Sequence, residues 1–288
     1  MRQSTSKSAP GKRAASKQPE NSLKDRWLRL HQSDAEPFPD VKRVSLLADK
    51  YPRFAASMEK SGSPVQVARE LQNAWRDFHA GNFLKAIALG DKLGALGASI
   101  ANKAAAVHSL NAQHNDAKTL TILTNAMARG ELAVQVLPDY ANAHYNLALV
   151  IGRYSQRISI LKALAEGLAG RVREHLERTL KLEPKHAEAH IALGLYHAEI
   201  IGKLGALAAK LTYNASAAES IAHFQHAIKL APDSPIALME YANGMLLLDA
   251  RSNQDQARKL YAKAAALPPA DAMEELDVER AKRGIRPA

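Results

Sequence analysis

The chain predicts an all-α fold, an α-solenoid of stacked helix–turn–helix repeats. Three observations carry this. A proline two residues after an apolar residue recurs at Val136-Leu137-Pro138-Asp139, Leu182-Glu183-Pro184-Lys185, Leu230-Ala231-Pro232-Asp233 and Leu267-Pro268-Pro269-Ala270. The first three are followed by one kind of helix start: Ala143, His144, Leu147 and Ala148 align with Ala189, His190, Leu193 and Gly194, and with Ala237, Leu238, Tyr241 and Ala242. A unit repeated in this way cannot bury its apolar face alone, so it stacks on its neighbours. Alanine and leucine favour helix, and β-branched runs with period-two alternation are absent.

Residues 1–21 are Ser, Lys, Ala, Gln and Pro without apolar pattern, and predict a disordered basic arm. Short helices are expected over 22–64, leading into a repeat domain over 65–282. Ser22, with Asp25 three residues on, is placed to cap a helix whose Leu23, Trp27 and Leu30 share a face. Glu36-Pro37-Phe38-Pro39 stops it. A single helix is expected near 41–60, with Val44, Leu47 and Tyr51 on one side. Ser63 caps the next helix and Pro64 takes its first position. That helix, over 65–80, carries Leu71, Ala74, Trp75 and Phe78, and Phe83 opens another after Gly81 and Asn82.

Ala74, Gly81, Phe83 and Ala86 stand at the spacing of the small residue, glycine, aromatic and alanine of the tetratricopeptide repeat, which this segment resembles. Phe224 and Ala227 before Pro232, and Ala257, Tyr261 and Ala264 before Pro269, fit the same pattern. Leu176 and Thr179 before Pro184, and Gly130 and Ala133 before Pro138, fit it less closely. The resemblance implies four or five repeats in a right-handed superhelix. Yet the prolines lie 46, 48 and 37 residues apart, against a period of about 34. The excess falls near 153–170 and 200–217, between the two helices of a repeat, and should lengthen those helices or widen their turns. These inserts also resemble the enlarged repeats of the regulators of microtubule dynamics, over about 130–270; microtubule binding is not carried over from that likeness.

Net charge is +10, of which residues 1–30 supply +6, so the repeat region is only mildly basic. Cysteine is absent, which excludes disulfides, thiolate zinc sites and cysteine nucleophiles and fits a reducing compartment, so a cytoplasmic location is expected. No secretory h-region and no apolar stretch long enough to span a membrane is visible.

Eleven histidines invite a metal hypothesis. His186 and His190 are four apart, but His186 falls at a helix start, and His144 and His190 share one repeat position suited to packing. No metal or cofactor is expected. Gly-x-Ser-x-Gly and P-loop patterns are missing, so no enzyme is expected.

The repeat resemblance implies that first helices line a concave face. Its exposed positions would be Asn142, Tyr145 and Leu149, then Glu188, Ile191 and Leu195, then Met239 and Asn243. Chaperone-tail clamps of the family need Lys, Asn and Arg there, and Ile191, Leu195 and Met239 replace them, so that activity is not expected. Either these apolar residues form a groove for an amphipathic helix, or they pack under the inserts and are buried. The expected function is a non-catalytic adaptor holding a protein partner in the groove. The alternatives are a carrier or sensor of a small lipid-like ligand, and a nucleic-acid binder acting through residues 1–30, where Trp27 is the one aromatic.

Overall fold

A computed structural model describes residues 20–110 and 116–285. The arm expected over 1–21 lies outside these residues, except that Glu20 and Asn21 already belong to the first helix. Every regular element among the described residues is helical.

Helix α1 (Glu20–Leu30) starts ahead of Ser22, which is therefore not its cap. The helix expected over 41–60 is two, α2 (Val41–Lys50) and α3 (Pro52–Ser61). Between them Tyr51 is extended, at φ −124° and ψ 103°, because a residue before proline is pushed out of the α region. Ser63 caps α4 (Pro64–His79) as expected, in a reciprocal box with Gln66.

From α4 onward helices pair. α4 is followed by α5 (Phe83–Lys92), then α6 (Ala98–Ser109) by α7 (Ala117–Val136). Next comes α8 (Ala141–Ser155), the six-residue α9 (Ile160–Ala165) and α10 (Leu168–Leu182). The following unit is α11 (Ala187–Leu204), the short α12 (Ala206–Tyr213) and α13 (Ala217–Leu230). α14 (Pro235–Ala266) breaks at Asp249, at φ −162° and ψ 96°, into a further pair, and α15 (Ala272–Ile285) closes the array. α7 packs on α8, α10 on both α8 and α11, and α13 on both α11 and α14. That alternation is the stacked solenoid the proline repeat predicts. The inserts take a different form from the one expected: each holds a short helix of its own, α9 or α12.

The two ends of the array meet. α15 packs on α4, Arg29 forms a bidentate pair with Glu274 at 2.8 and 3.0 Å, and His79 Nδ1 lies 2.6 Å from Asp271. Leu23 and Trp27 of α1 share a core with Trp75 and Phe78 of α4.

Phe224 locks three helices together. A Cβ on Gly194 of α11 would stand 2.9 Å from its ring, and one on Gly244 of α14 closer still. The ring fills the space both glycines leave. Phe224→Ala should therefore cost about 3–5 kcal/mol, read by chemical denaturation. Gly244→Ala should destabilise the native chain by overpacking, and should do so less in the Phe224→Ala background.

Two histidine pairs recur in register. His144 Nε2 donates to the Pro138 carbonyl at 2.9 Å, and its Nδ1 faces His175 Nδ1 at 3.1 Å. His190 repeats this one unit later, with Pro184 at 3.3 Å and His223 at 2.8 Å. With Nε2 donating, each first ring is neutral and accepts at Nδ1 from its partner, so the two rings of a pair cannot both be protonated. Burial holds all four below the usual histidine range, and His190 is pushed down to about 4. A depressed folded pKa means the unfolded chain takes up protons first. Stability should fall as pH drops from about 6.5 toward 4, and His190→Asn should shrink that loss in melting temperature measured against pH.

Candidate functional site

The inner face of the array divides into a polar half and an apolar half. In the polar half Lys103 of α6 is almost wholly buried. Its Nζ bonds Glu188 of α11 at 3.0 and 3.1 Å and also pairs with Asp34. Asp34 belongs to the chain's own segment between α1 and α2, which runs through this half as a bound peptide would. Ser33 and Asp34 offer their carbonyls to the Glu188 N–H and to Asn142 Nδ2, both at 2.9 Å. Glu36 accepts from Asn142 Nδ2 at 2.7 Å, Ser99 Oγ at 2.8 Å and Tyr140 OH at 2.5 Å, while its carbonyl accepts from Trp27 Nε1 at 2.6 Å. Gln72 Nε2 holds the Pro39 carbonyl at 3.0 Å. His186 Nε2 donates to Asn142 Oδ1 at 2.8 Å and so fixes the amide that grips the segment.

The electrostatics follow from the geometry. Burial opposes the charge on Lys103, but Asp34 and Glu188 outweigh it and hold the ammonium above its ordinary range. Burial alone would raise Asp34; Lys103 and His31 bring it far below the usual carboxylate range. Glu36, buried beside Asp34, is pushed up. Burial pushes His186 down to about 3.

In the apolar half, α8, α10 and α11 form a groove open to solvent along one side, with about 170 Å³ of free volume. Tyr145, Leu149, Ile191, Leu195, Val172 and Leu176 line it, and the insert helices rise beside it through Ile160 and Leu164 on α9 and Tyr213 on α12. Arg153 stands in the same lining. Its guanidinium reaches Gln156 at 3.2 Å, but its Nε is enclosed without a hydrogen-bond partner. Burial lowers its pKa, with Glu240 opposing.

The eight residues expected to be exposed on the concave face therefore separate. Asn142 and Glu188 are buried and bind the chain's own segment. Tyr145 and Ile191 are buried and Leu149 and Leu195 half-buried, all four in the groove. Met239 packs instead among Ala257, Tyr261 and Ala264, and Asn243 is held by Glu240 at 2.7 Å and by Tyr261. From α14 it is Ile236 and Glu240 that face the groove. Two carboxylates of the chain's own segment are held nearby, Asp34 by Lys103 and Glu36 by Ser99, Tyr140 and Asn142. Sequence reasoning missed Lys103 and Arg153; the signal for Lys103 was a single charge in a helix otherwise rich in alanine.

Paired helices stacked about a lined inner face define a helical-repeat protein of the tetratricopeptide class. The fold matches a thermophilic TPR protein of Thermus thermophilus, at 17% identity and a TM-score of 0.54, over 75% of this chain and 99% of that one. YrrB, a TPR protein with an unusual peptide-binding site, aligns over 73% of this chain and 90% of that one at 14% identity, with a TM-score of 0.37. The family described as regulator of microtubule dynamics protein 1-3 matches residues 97–285, about two thirds of the chain. The chain belongs to that family. No curated protein sequence matches it.

Replacing Lys103 by methionine should leave two buried carboxylates facing each other and cost about 3–5 kcal/mol, measured by denaturant unfolding. Adding Asp34→Asn and Glu188→Gln to Lys103→Met should recover part of that loss.

Proposed function

We propose that the chain is a non-catalytic binding module that takes an apolar segment of a protein partner into the groove between α8, α10 and α11. The observation that carries this reading is the continuous apolar lining left open to solvent on an inner face whose polar half is already filled. From Tyr145 to Ser155 the α8 wall is about 15 Å long at 1.5 Å per residue, nearly the length of three turns of an amphipathic helix. Such a helix, with anchors at every third or fourth position, would set its apolar side against Leu149 and Leu195. Its affinity would come from burial.

A second reading has its own support. The insert helices border the groove through Ile160, Leu164 and Tyr213, and an apolar wall with one buried guanidinium also suits a small lipid-like ligand bearing an acidic group. Among the described residues no helix is long and apolar enough to cross a membrane.

Leu149→Glu with Leu195→Glu tests the site, because both side chains are only half-buried and the fold should survive. Affinity capture from the native cell should yield at least tenfold less partner with this variant, roughly 1.4 kcal/mol or more of lost burial. A partner retained at full yield would place its binding elsewhere. Native mass spectrometry of the purified chain decides between the readings: a co-purifying lipid supports the second, and its absence supports the first.

A further inference from the structure

We propose that the two insert helices, α9 and α12, form a docking surface for an anionic lipid bilayer. The proposal stands apart from what the groove holds. It rests chiefly on Leu161, Leu207 and Leu211, which are exposed and do not line the groove, while Ile160 and Leu164 border both.

Of the twelve large apolar residues exposed among the described residues, five lie on these two helices, which are only six and eight residues long. They are Ile160, Leu161 and Leu164 on α9, and Leu207 and Leu211 on α12. Leu161 is 80% exposed, Leu207 75% and Leu211 78%. α9 buries none of its residues and α12 buries only Ala209. Helices this short do not hold themselves together in water, and these carry their leucines outward with little core to gain. Apolar clustering of this kind marks an interaction surface rather than the scatter found on any soluble protein.

Charge complementarity identifies the occupant. Lys162 sits among the α9 leucines, and Lys210 between the two on α12, with Lys203 one turn before that helix. From residue 200 to 218 the chain has no acidic side chain. Glu166, 3.8 Å from Lys162, Glu199, 3.2 Å from Lys203, and Glu177 and Glu219, which line one pocket with Lys210, temper this edge. Leucines interleaved with lysines fit an interface whose outer layer is anionic and whose inner layer is hydrocarbon: the leucines enter the boundary while lysine stems run beside them to the headgroups. A folded protein partner would have to match two separate short prongs standing on either side of a groove. A bilayer needs no such match. The device also recurs, once in each of the two enlarged repeats, and so presents both prongs from successive units of one array.

The test is co-sedimentation of the full chain with phosphatidylcholine vesicles, with and without about a third phosphatidylserine. Wild-type protein should bind the anionic vesicles. Leu161→Ser, Leu207→Ser and Leu211→Ser combined should lower the partition coefficient about tenfold or more, since each exposed leucine contributes separately. Lys162→Gln with Lys210→Gln should weaken binding to the anionic vesicles and leave any binding to phosphatidylcholine alone unchanged. Leu28→Ser with Leu84→Ser, exposed elsewhere, should change nothing. All the changed residues are exposed, so melting curves should stay close to wild type. Wild-type protein that fails to sediment would overturn the proposal. So would a triple-leucine variant that binds as wild type does, which would assign the attraction to the basic arm of residues 1–30. Leucine-dependent capture of a soluble protein without vesicle binding would assign the face to that protein instead.

Discussion

One buried cation organises the molecule. Lys103 lies on a helix whose other residues are mostly alanine, and it has no route to water. Its charge is tolerable only if carboxylates come to it. One arrives from α11, two pairs further along the array, and the other from the segment between α1 and α2. Buried ion clusters of this kind are a poor source of net stability and a strong source of register, since most misplacements leave a charge unpaired. Here the register fixed is that of residues 31–39 against α6, α8 and α11. The backbone contacts at Ser33, Asp34 and Glu36 then follow, and so does the meeting of α1 and α4 with α15.

That constraint decides what the inner face has to offer. A solenoid normally leaves its concave surface free along the whole array. In this chain the part facing α6 and the start of α8 is occupied in cis, and the free part begins at Tyr145. The remaining wall is apolar, and it belongs to the two units that carry inserts. Groove and inserts are one feature: the extra residues between paired helices rise beside the groove because they have no further repeat to pack upon.

The repeat frame was legible because proline, alanine and glycine act locally. Each proline closes one pair, and the small residues mark where helices approach. The family likeness of the enlarged repeats was legible from their length alone. The path of residues 31–39 was not, because Glu36-Pro37-Phe38-Pro39 says that a helix stops and says nothing about where the loop goes. The roles of Asn142 and Glu188 were missed for the same reason, although both were placed on the right face. Met239 failed differently. It holds the same frame position as Tyr145 and Ile191, but α14 is the last stacked first helix before α15 covers it. Ile236 and Glu240 line the groove from the frame positions that Glu188 and Ala192 hold on α11, while Met239 fills the core against Tyr261. Frame arguments assume that every unit has the same neighbours, and the terminal unit does not.

The groove is kept open by the sequence and is not a packing failure. Its lining alternates large apolar residues with Ala148, Gly152, Ala163 and Ala192. At Gly152 an added Cβ would meet nothing within 4 Å, so a larger side chain there could enter the space without strain. Gly194 and Gly244 differ, because each leaves room that the Phe224 ring takes up. A residue large enough to fill the groove would gain burial of roughly 1.5–3 kcal/mol, and helix propensity favours nearly any choice over glycine by up to about 1 kcal/mol. The chain forgoes both gains at the position where the groove floor meets Arg153. Local stability and an open apolar wall are in conflict there, and the wall prevails, as expected of a surface kept for something other than the fold.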